Sequence, residues 1–420
     1  MRTKFQGTIY EVNVRQYTPE GTFRAFLPHI DRLKEMGIET LWFMPIYPIG
    51  KINRKGSLGS YYSISDYKGV NPEFGDASDF RAIIDKAHSL GMNVILDMVA
   101  NHTAWDNKWL EQNHIFWYER NDQGEVLSPF DWSDTAKLNY KSPPMRAAMI
   151  DAMIFWITEF QIDGFRQDMA GLVPLDFWKE AIAQVRSVKP DTYFLGEVDD
   201  AAFHQPNMFN STYSWELCHI LEYIAQGDFG ANRLRDRISY EKTIFPKEAG
   251  RLLFTSNHDE NSWSGSEFER LGDAAMTMAA LTFVLDGVPL IYSGQEAGNK
   301  KRLEFFEKDL INWDELAKYT CFYRELNNLR NNISALKPYG QGGEIKHINN
   351  SQPENILSFK RVDADSSVIA IFNLTPYHVQ PAFYDDIYNG EWNKLFNQKQ
   401  ELFSGQYDPF GPWEFKIYYR

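Results

Sequence analysis

Eight short apolar strands alternate with amphipathic helices over about 330 residues, and from about Ile345 the pattern switches to short alternating strands. These two observations predict an α/β fold, a closed (β/α)8 TIM barrel followed by a C-terminal antiparallel β-sandwich of roughly 80 residues. A third observation is a break in the alternation between His102 and about Tyr140, where Trp105, Trp109, Trp117 and Trp132 crowd a segment without period. It reads as a short inserted lobe after the third strand. The expected domains are 1–102 and 141–335 for the barrel, 103–140 for the lobe and 336–420 for the sandwich. A chain of 420 residues accommodates one large domain and a smaller one.

The first strand is expected over Thr8 to Gln16, and the helix after it sets Phe26, Ile30 and Leu33 at helical spacing before stopping at Gly37. Strand two, Glu39 to Met44, is ended by Pro45. A long loop to Asp76 then carries Gly56, Gly59 and the tyrosines Tyr61, Tyr62 and Tyr67. Helix two aligns Phe80, Ile83, Ile84, Ala87 and Leu90 on one stripe and ends at Gly91. Strand three, Asn93 to Val99, is a nearly continuous apolar run until Asp97, as a strand buried on both faces should be. After the lobe, a helix through Ile150, Met153, Ile154 and Ile157 leads to strand four, Asp163 to Gln167. Another through Phe177, Ile182 and Val185 leads to strand five, Tyr193 to Glu197. Strand six has the weakest pattern, Met208 to Tyr213; strands seven and eight are Leu252 to Ser256 and Val288 to Tyr292. A helix near Asp314 to Asn332 closes the series, and Ile356 to Phe359 and Val368 to Phe372 begin the sandwich.

A formal net charge of −14 argues against nucleic-acid and anionic-membrane partners, which need a basic surface. Aromatic residues make up 15% of the chain, and aromatic faces on a cleft also hold sugar rings. The two cysteines, Cys218 and Cys321, sit in no metal-ligand spacing and are expected to be buried free thiols. No stretch reaches the roughly 18 apolar residues of a membrane span, and residues 1–7 hold no apolar run of leader length. The expected location is cytoplasmic; a trimmed secreted or periplasmic form would have the same sequence.

The polar residues that interrupt the strands fall at strand C-termini. Strand three delivers Asp97, Asn101 and His102, strand four Arg166 and Asp168, strand five Glu197, and strand seven His258 and Asp259. In an extended segment Arg166 and Asp168 point to the same face, so the cation is placed to keep the carboxylate charged. Four strands bringing acids to one rim is hard to explain structurally, because clustered acids repel. Such clusters serve metal binding or glycosyl chemistry.

With these residues the chain resembles the α-amylase family of retaining glycoside hydrolases, glycoside hydrolase family 13. The matching segments are Asp97-Met98-Val99-Ala100-Asn101-His102, Gly164 to Asp168, Gly196-Glu197-Val198 and Ser256-Asn257-His258-Asp259-Glu260. Weaker matches are Leu41 to Pro45, Leu138-Asn139 and Gly287 to Glu296. The resemblance implies Asp168 as nucleophile, Glu197 as general acid/base and Asp259 as third carboxylate, with Asp97 supporting Arg166. It implies Tyr62, His102, Arg166 and His258 as substrate-binding residues and Asn101 as a calcium ligand. Desolvation among other acids is expected to keep the proton on Glu197. Many members follow the nucleophile with a Lys-His pair; here those positions read Gly171-Leu172, which weighs against the usual calcium and leaves the leaving-group side to Trp132, Trp215 or Trp263. No cofactor is required for the chemistry.

The expected activity is hydrolysis of α-1,4 bonds in starch, glycogen or maltooligosaccharides by double displacement, with an α-glucan or maltooligosaccharide as the partner. The alternatives are an α-glucan transglycosylase of the 4-α-glucanotransferase type or an α-glucosidase on the same machinery, and, more remotely, a dead sugar-binding or scaffold barrel.

Overall fold

The computed structural model describes residues 5–112, 114–384, 390–397, 400–402 and 409–420; the remaining parts of the expected lobe and sandwich lie outside the described residues. The parallel strands are β1 (Ile9–Val12), β2 (Thr40–Phe43), β3 (Asn93–Val99), β4 (Gly164–Asp168), β5 (Tyr193–Gly196), β6 (Ser211–Tyr213), β7 (Gly250–Leu253) and β8 (Val288–Tyr292). They hydrogen-bond in the closed order β1-β8-β7-β6-β5-β4-β3-β2. By packing, the chain divides into two compact units, one holding Tyr10–Tyr213 and Leu303–Ile311, the other Ser214–Arg302 and Asn312–Arg420.

β3 and β8 keep the bounds expected from their apolar runs, because such runs are buried on both faces and nothing competes with strand. The first strand is shorter than expected. Asn13 leaves the extended region, and Val14–Tyr17 forms a helical turn that swings Arg15 and Gln16 onto the loops. Arg15 Nε lies 3.0 Å from Glu73 and Gln16 Nε2 donates to the Glu304 carbonyl at 2.9 Å. β7 starts two residues early, at Gly250, because Arg251 is accommodated inside the fold, its guanidinium 3.8 Å from the Phe245 ring centroid.

In the first unit, the lobe after β3 is a small ribbon, His102–Ala104 antiparallel to Thr135–Lys137. Gly164 at the start of β4 is a close-approach glycine: a Cβ there would lie 2.2 Å from the Tyr193 carbonyl oxygen, so any side chain would push β4 off β5.

In the second unit, the C-terminal module is a six-stranded antiparallel sheet whose register pairs Ile356–Val362 with Ser367–Asn373 and Ser367–Asn373 with Phe415–Tyr419. Its core face packs Ile356, Ile369, Ile371, Trp392 and Tyr418 against Val379, Phe383 and Phe410. The opposing layer is thin: the bridges Asn350–Phe383 and Val379–Phe410. Fully buried Arg361 ties the sheet to the chain before β8, donating to the Leu285 carbonyl at 2.8 Å and lying 3.3 Å from Asp286.

Both cysteines are free. Cys218 is buried, which pushes its thiol up to about 12, whereas Cys321 is exposed, contrary to the expectation that both are buried. No helix among the described residues is long and apolar enough to cross a membrane.

Candidate active site

The chemistry of the first unit centres on Arg166. Register places Asp97 beside Arg166 and Val99 beside Asp168 across β3 and β4, so alternation turns Asp97, Arg166 and Asp168 to one face. Gln167 points the other way, its amide toward Met153 on the covering helix. Arg166 is fully buried. Its Nη1 donates to Asp97 Oδ1 at 3.0 Å and to Asp168 Oδ1 at 2.9 Å, its Nη2 lies 3.0 Å from Glu197 Oε1, and its Nε donates to the Tyr213 hydroxyl at 3.1 Å. Three carboxylates therefore share one guanidinium. Burial works against its charge, yet Asp97 and Glu197 more than offset this and hold its pKa well above the ordinary arginine value.

Aromatic rings enclose the clamp. The guanidinium carbon lies 5.2 Å from the Trp42 ring, 5.5 Å from Tyr213 and 5.8 Å from Tyr62. Trp42 Nε1 and the Tyr62 hydroxyl each donate to Asp97 Oδ2 at 3.2 Å, so Asp97 is saturated as a support and Tyr62 is fixed in orientation. Sequence reasoning does not pick out Trp42 and Tyr213 as site residues; the available signal is an aromatic at a strand end, which core packing produces equally well.

Met169, directly after Asp168, adopts a left-handed conformation with φ 45°. A non-glycine residue there is strained, and such strain collects at functional sites. The turn aims the Met169 amide at Glu197, which accepts it through Oε2 at 2.7 Å. Both contacts of Glu197, from a guanidinium and a main-chain amide, are donors that a carboxylate accepts.

His102 is buried in the ribbon, and its ring meets Trp132 edge-on at 5.3 Å. Burial depresses its pKa to about 3, opposed by a main-chain hydrogen bond with Tyr62, so the ring is neutral and able to hydrogen-bond hydroxyls. Asn101, the expected calcium ligand, is buried two residues beyond β3. Calcium takes six to eight oxygen ligands. The Asn101 main-chain carbonyl accepts the Leu138 amide at 3.1 Å, and its side-chain nitrogen lies 3.1 Å from His102 Nδ1. Among the described residues no group of three or more His, Cys, Asp or Glu is placed to hold a metal. Gly171 and Leu172 are exposed in the turn Ala170–Leu172, which offers no cation to a ligand.

In the second unit, the chain beyond β7 carries the remaining acids. His258 is buried, with Nε2 3.3 Å from Asp259 Oδ2, and the Asp259 side chain is 37% exposed. The Asn257 side chain accepts the Glu260 amide at 2.7 Å and starts the π-helical turn Glu260–Ser264, which leaves Trp263 exposed. Trp215 packs edge-on against Phe254 at 5.1 Å.

A closed parallel barrel with ionisable residues at strand C-termini defines the class of (β/α)8 barrel proteins whose sites lie at that rim. Within it the chain belongs to the α-amylase family. The family model for the α-amylase catalytic domain matches residues 6–116 and 113–334, and that for the α-amylase C-terminal all-β domain matches residues 347–412. Among similar proteins, alpha-amylase 3 of Dictyoglomus thermophilum is 25% identical, over 93% of this chain and 89% of that one. Alpha-amylase MalA of Haloarcula japonica is 26% identical over 87% of this chain, which spans only 55% of that protein's length. In structure, an alpha-amylase from Lactobacillus plantarum superposes with a TM-score of 0.88 at 29% identity, covering 99% of this chain and 98% of that one. The maltogenic alpha-amylase AmyB from Thermotoga neapolitana gives 0.89 at 28%, with the same coverage.

Proposed function

We propose that the protein hydrolyses α-1,4-glucosidic bonds of maltooligosaccharides and related α-glucans by retaining double displacement. The observation that carries this reading is the Arg166 clamp, in which neighbouring nitrogens of one guanidinium grip Asp168 at 2.9 Å and Glu197 at 3.0 Å. A retaining enzyme needs its two carboxyls close, about 5–5.5 Å apart, whereas an inverting one keeps them about 6.5–9.5 Å apart to admit water. Arg166 keeps Asp168 ionised, and Asp168 attacks the anomeric carbon. Glu197, protonated in the substrate complex, gives its proton to the leaving oxygen. It then takes one from water, whose oxygen displaces Asp168. Asp259 favours the positive, distorted ring of the transition state, and His102, His258 and Tyr62 bind the sugar.

The names of similar proteins, among them a cyclomaltodextrinase of Geobacillus thermopakistaniensis and a maltogenic alpha-amylase of Bacillus acidopullulyticus, support α-glucans, cyclic ones included, as substrates. Transfer to a sugar hydroxyl is the second reading, because the glycosyl group on Asp168 is open to either acceptor. Incubation with maltoheptaose decides between them. Shorter products alone are expected; chains longer than the input would establish transfer, and unaltered maltoheptaose would overturn both.

A further inference from the structure

Beyond the acid clamp, the lobe holds an aromatic surface whose construction calls for a ligand. Phe130 is 69% exposed and adopts a left-handed backbone with φ 50°. An exposed large apolar side chain gains nothing from burial, and a bulky residue in this conformation is strained. Strain of this kind persists only where the surroundings over-determine it, and it collects at ligand clamps.

The surroundings do over-determine it. The Trp132 amide donates to the Pro129 carbonyl, and the Thr135 amide and hydroxyl both donate to the Trp132 carbonyl. Trp105 Nε1 donates to the Ser133 carbonyl at 2.9 Å. The Ser63 hydroxyl donates to the Asp134 carbonyl at 2.8 Å, and Lys55 pairs with the Asp134 carboxylate at 3.2 Å. The turn is thus held by its own hydrogen bonds and by residues of two other segments, while the Phe130 side chain faces water. The Phe130 ring meets Trp132 edge-on at 5.1 Å, and Trp132 meets His102 at 5.3 Å, so an unbroken line of rings runs from the buried histidine to the surface.

We propose that Phe130, backed by Trp132, is a platform for a glucose ring of the α-glucan other than the reacting one, so that recognition strengthens with chain length. A rigid aromatic face joined through Trp132 to a neutral histidine able to hydrogen-bond hydroxyls is chemistry suited to a pyranose. The inference rests on the α-glucan reading above and adds to it a specificity-determining residue outside the acid cluster.

The test uses Phe130→Gly, which removes the ring and relieves the strained conformation, with Phe130→Tyr as the conservative variant. In steady-state kinetics the ratio of kcat/KM on maltoheptaose to that on maltotriose should fall about five- to tenfold in Phe130→Gly, mainly through KM. It should stay near the wild-type ratio in Phe130→Tyr. Phe130→Gly should also melt at or above the wild-type temperature, a gain of stability with a loss of recognition that a packing role would not produce. An unchanged ratio, an equal loss on both substrates, or failure of Phe130→Tyr to preserve the ratio would overturn the proposal. If the wild type turned over neither sugar, the hydrolase reading would fail. The platform would then be judged by calorimetric binding of maltoheptaose, with equal affinity in wild type and Phe130→Gly refuting it.

Discussion

The strand ends around Arg166 and the strand end after β7 carry the same kinds of residue but are built differently. Asp97, Asp168 and Glu197 are buried and bound to one cation, whereas Asp259 is 37% exposed and lies 3.3 Å from His258. Burying three carboxylates around one guanidinium makes that region depend on its charge balance for folding as well as for chemistry. A partly exposed acid carries no such coupling. The difference predicts that losing the shared cation, Arg166, breaks the molecule, whereas losing Asp259 breaks only the reaction.

The strongest way to break the comparison is Arg166→Met. It strands three buried carboxylates, so unfolding measured in urea should become easier by about 3–5 kcal/mol, with activity lost. A stable Arg166→Met protein would show that the clamp is not a folding element. Asp259→Asn should lower turnover by about 10²–10³-fold while leaving the melting temperature within a degree or two. A large fall in stability would erase the distinction between the two regions.

A smaller effect is expected in the C-terminal module. His347 in the C-terminal module has neither ring nitrogen hydrogen-bonded among the described residues. Burial first, then Lys242 and Arg235, depress its pKa to about 4, against the opposing pull of Asp236. The unfolded chain therefore binds a proton near pH 6.5 that the folded chain refuses until about pH 4. Its contribution is complete above the unfolded value and is lost as pH falls from about 6.5 toward 4, so His347→Gln should flatten the acid side of the stability profile. The smallest effect is that of EDTA, which should leave both melting temperature and turnover unchanged; a fall in either would show that the protein holds a metal.

Much of the barrel and of the acid cluster is legible in the sequence. Continuous apolar runs place β3 and β8 to the residue, and Asp97, Arg166, Asp168 and Glu197 stand out because charged residues at the ends of such runs have no packing reason to be there. What escapes is tertiary. Arg251 in β7 reads as a strand boundary because its partners, Phe245 and Glu241, come from the end of the preceding helix and the residue that caps it. Trp42 and Tyr213 are indistinguishable from core aromatics without their contacts to Asp97 and Arg166. Backbone strain at Met169 and Phe130 has no signature in residue type at all.

The central claim is that Asp168 forms the glycosyl bond. The most direct measurement is the mass of the protein, and of its Asp168 peptide, after brief reaction with a fluorinated α-glucosyl fluoride that slows release of the sugar. The account expects one added sugar, located on Asp168 and absent from Asp168→Asn. A label on another residue, or turnover of the reagent by Asp168→Asn at the wild-type rate, would contradict it.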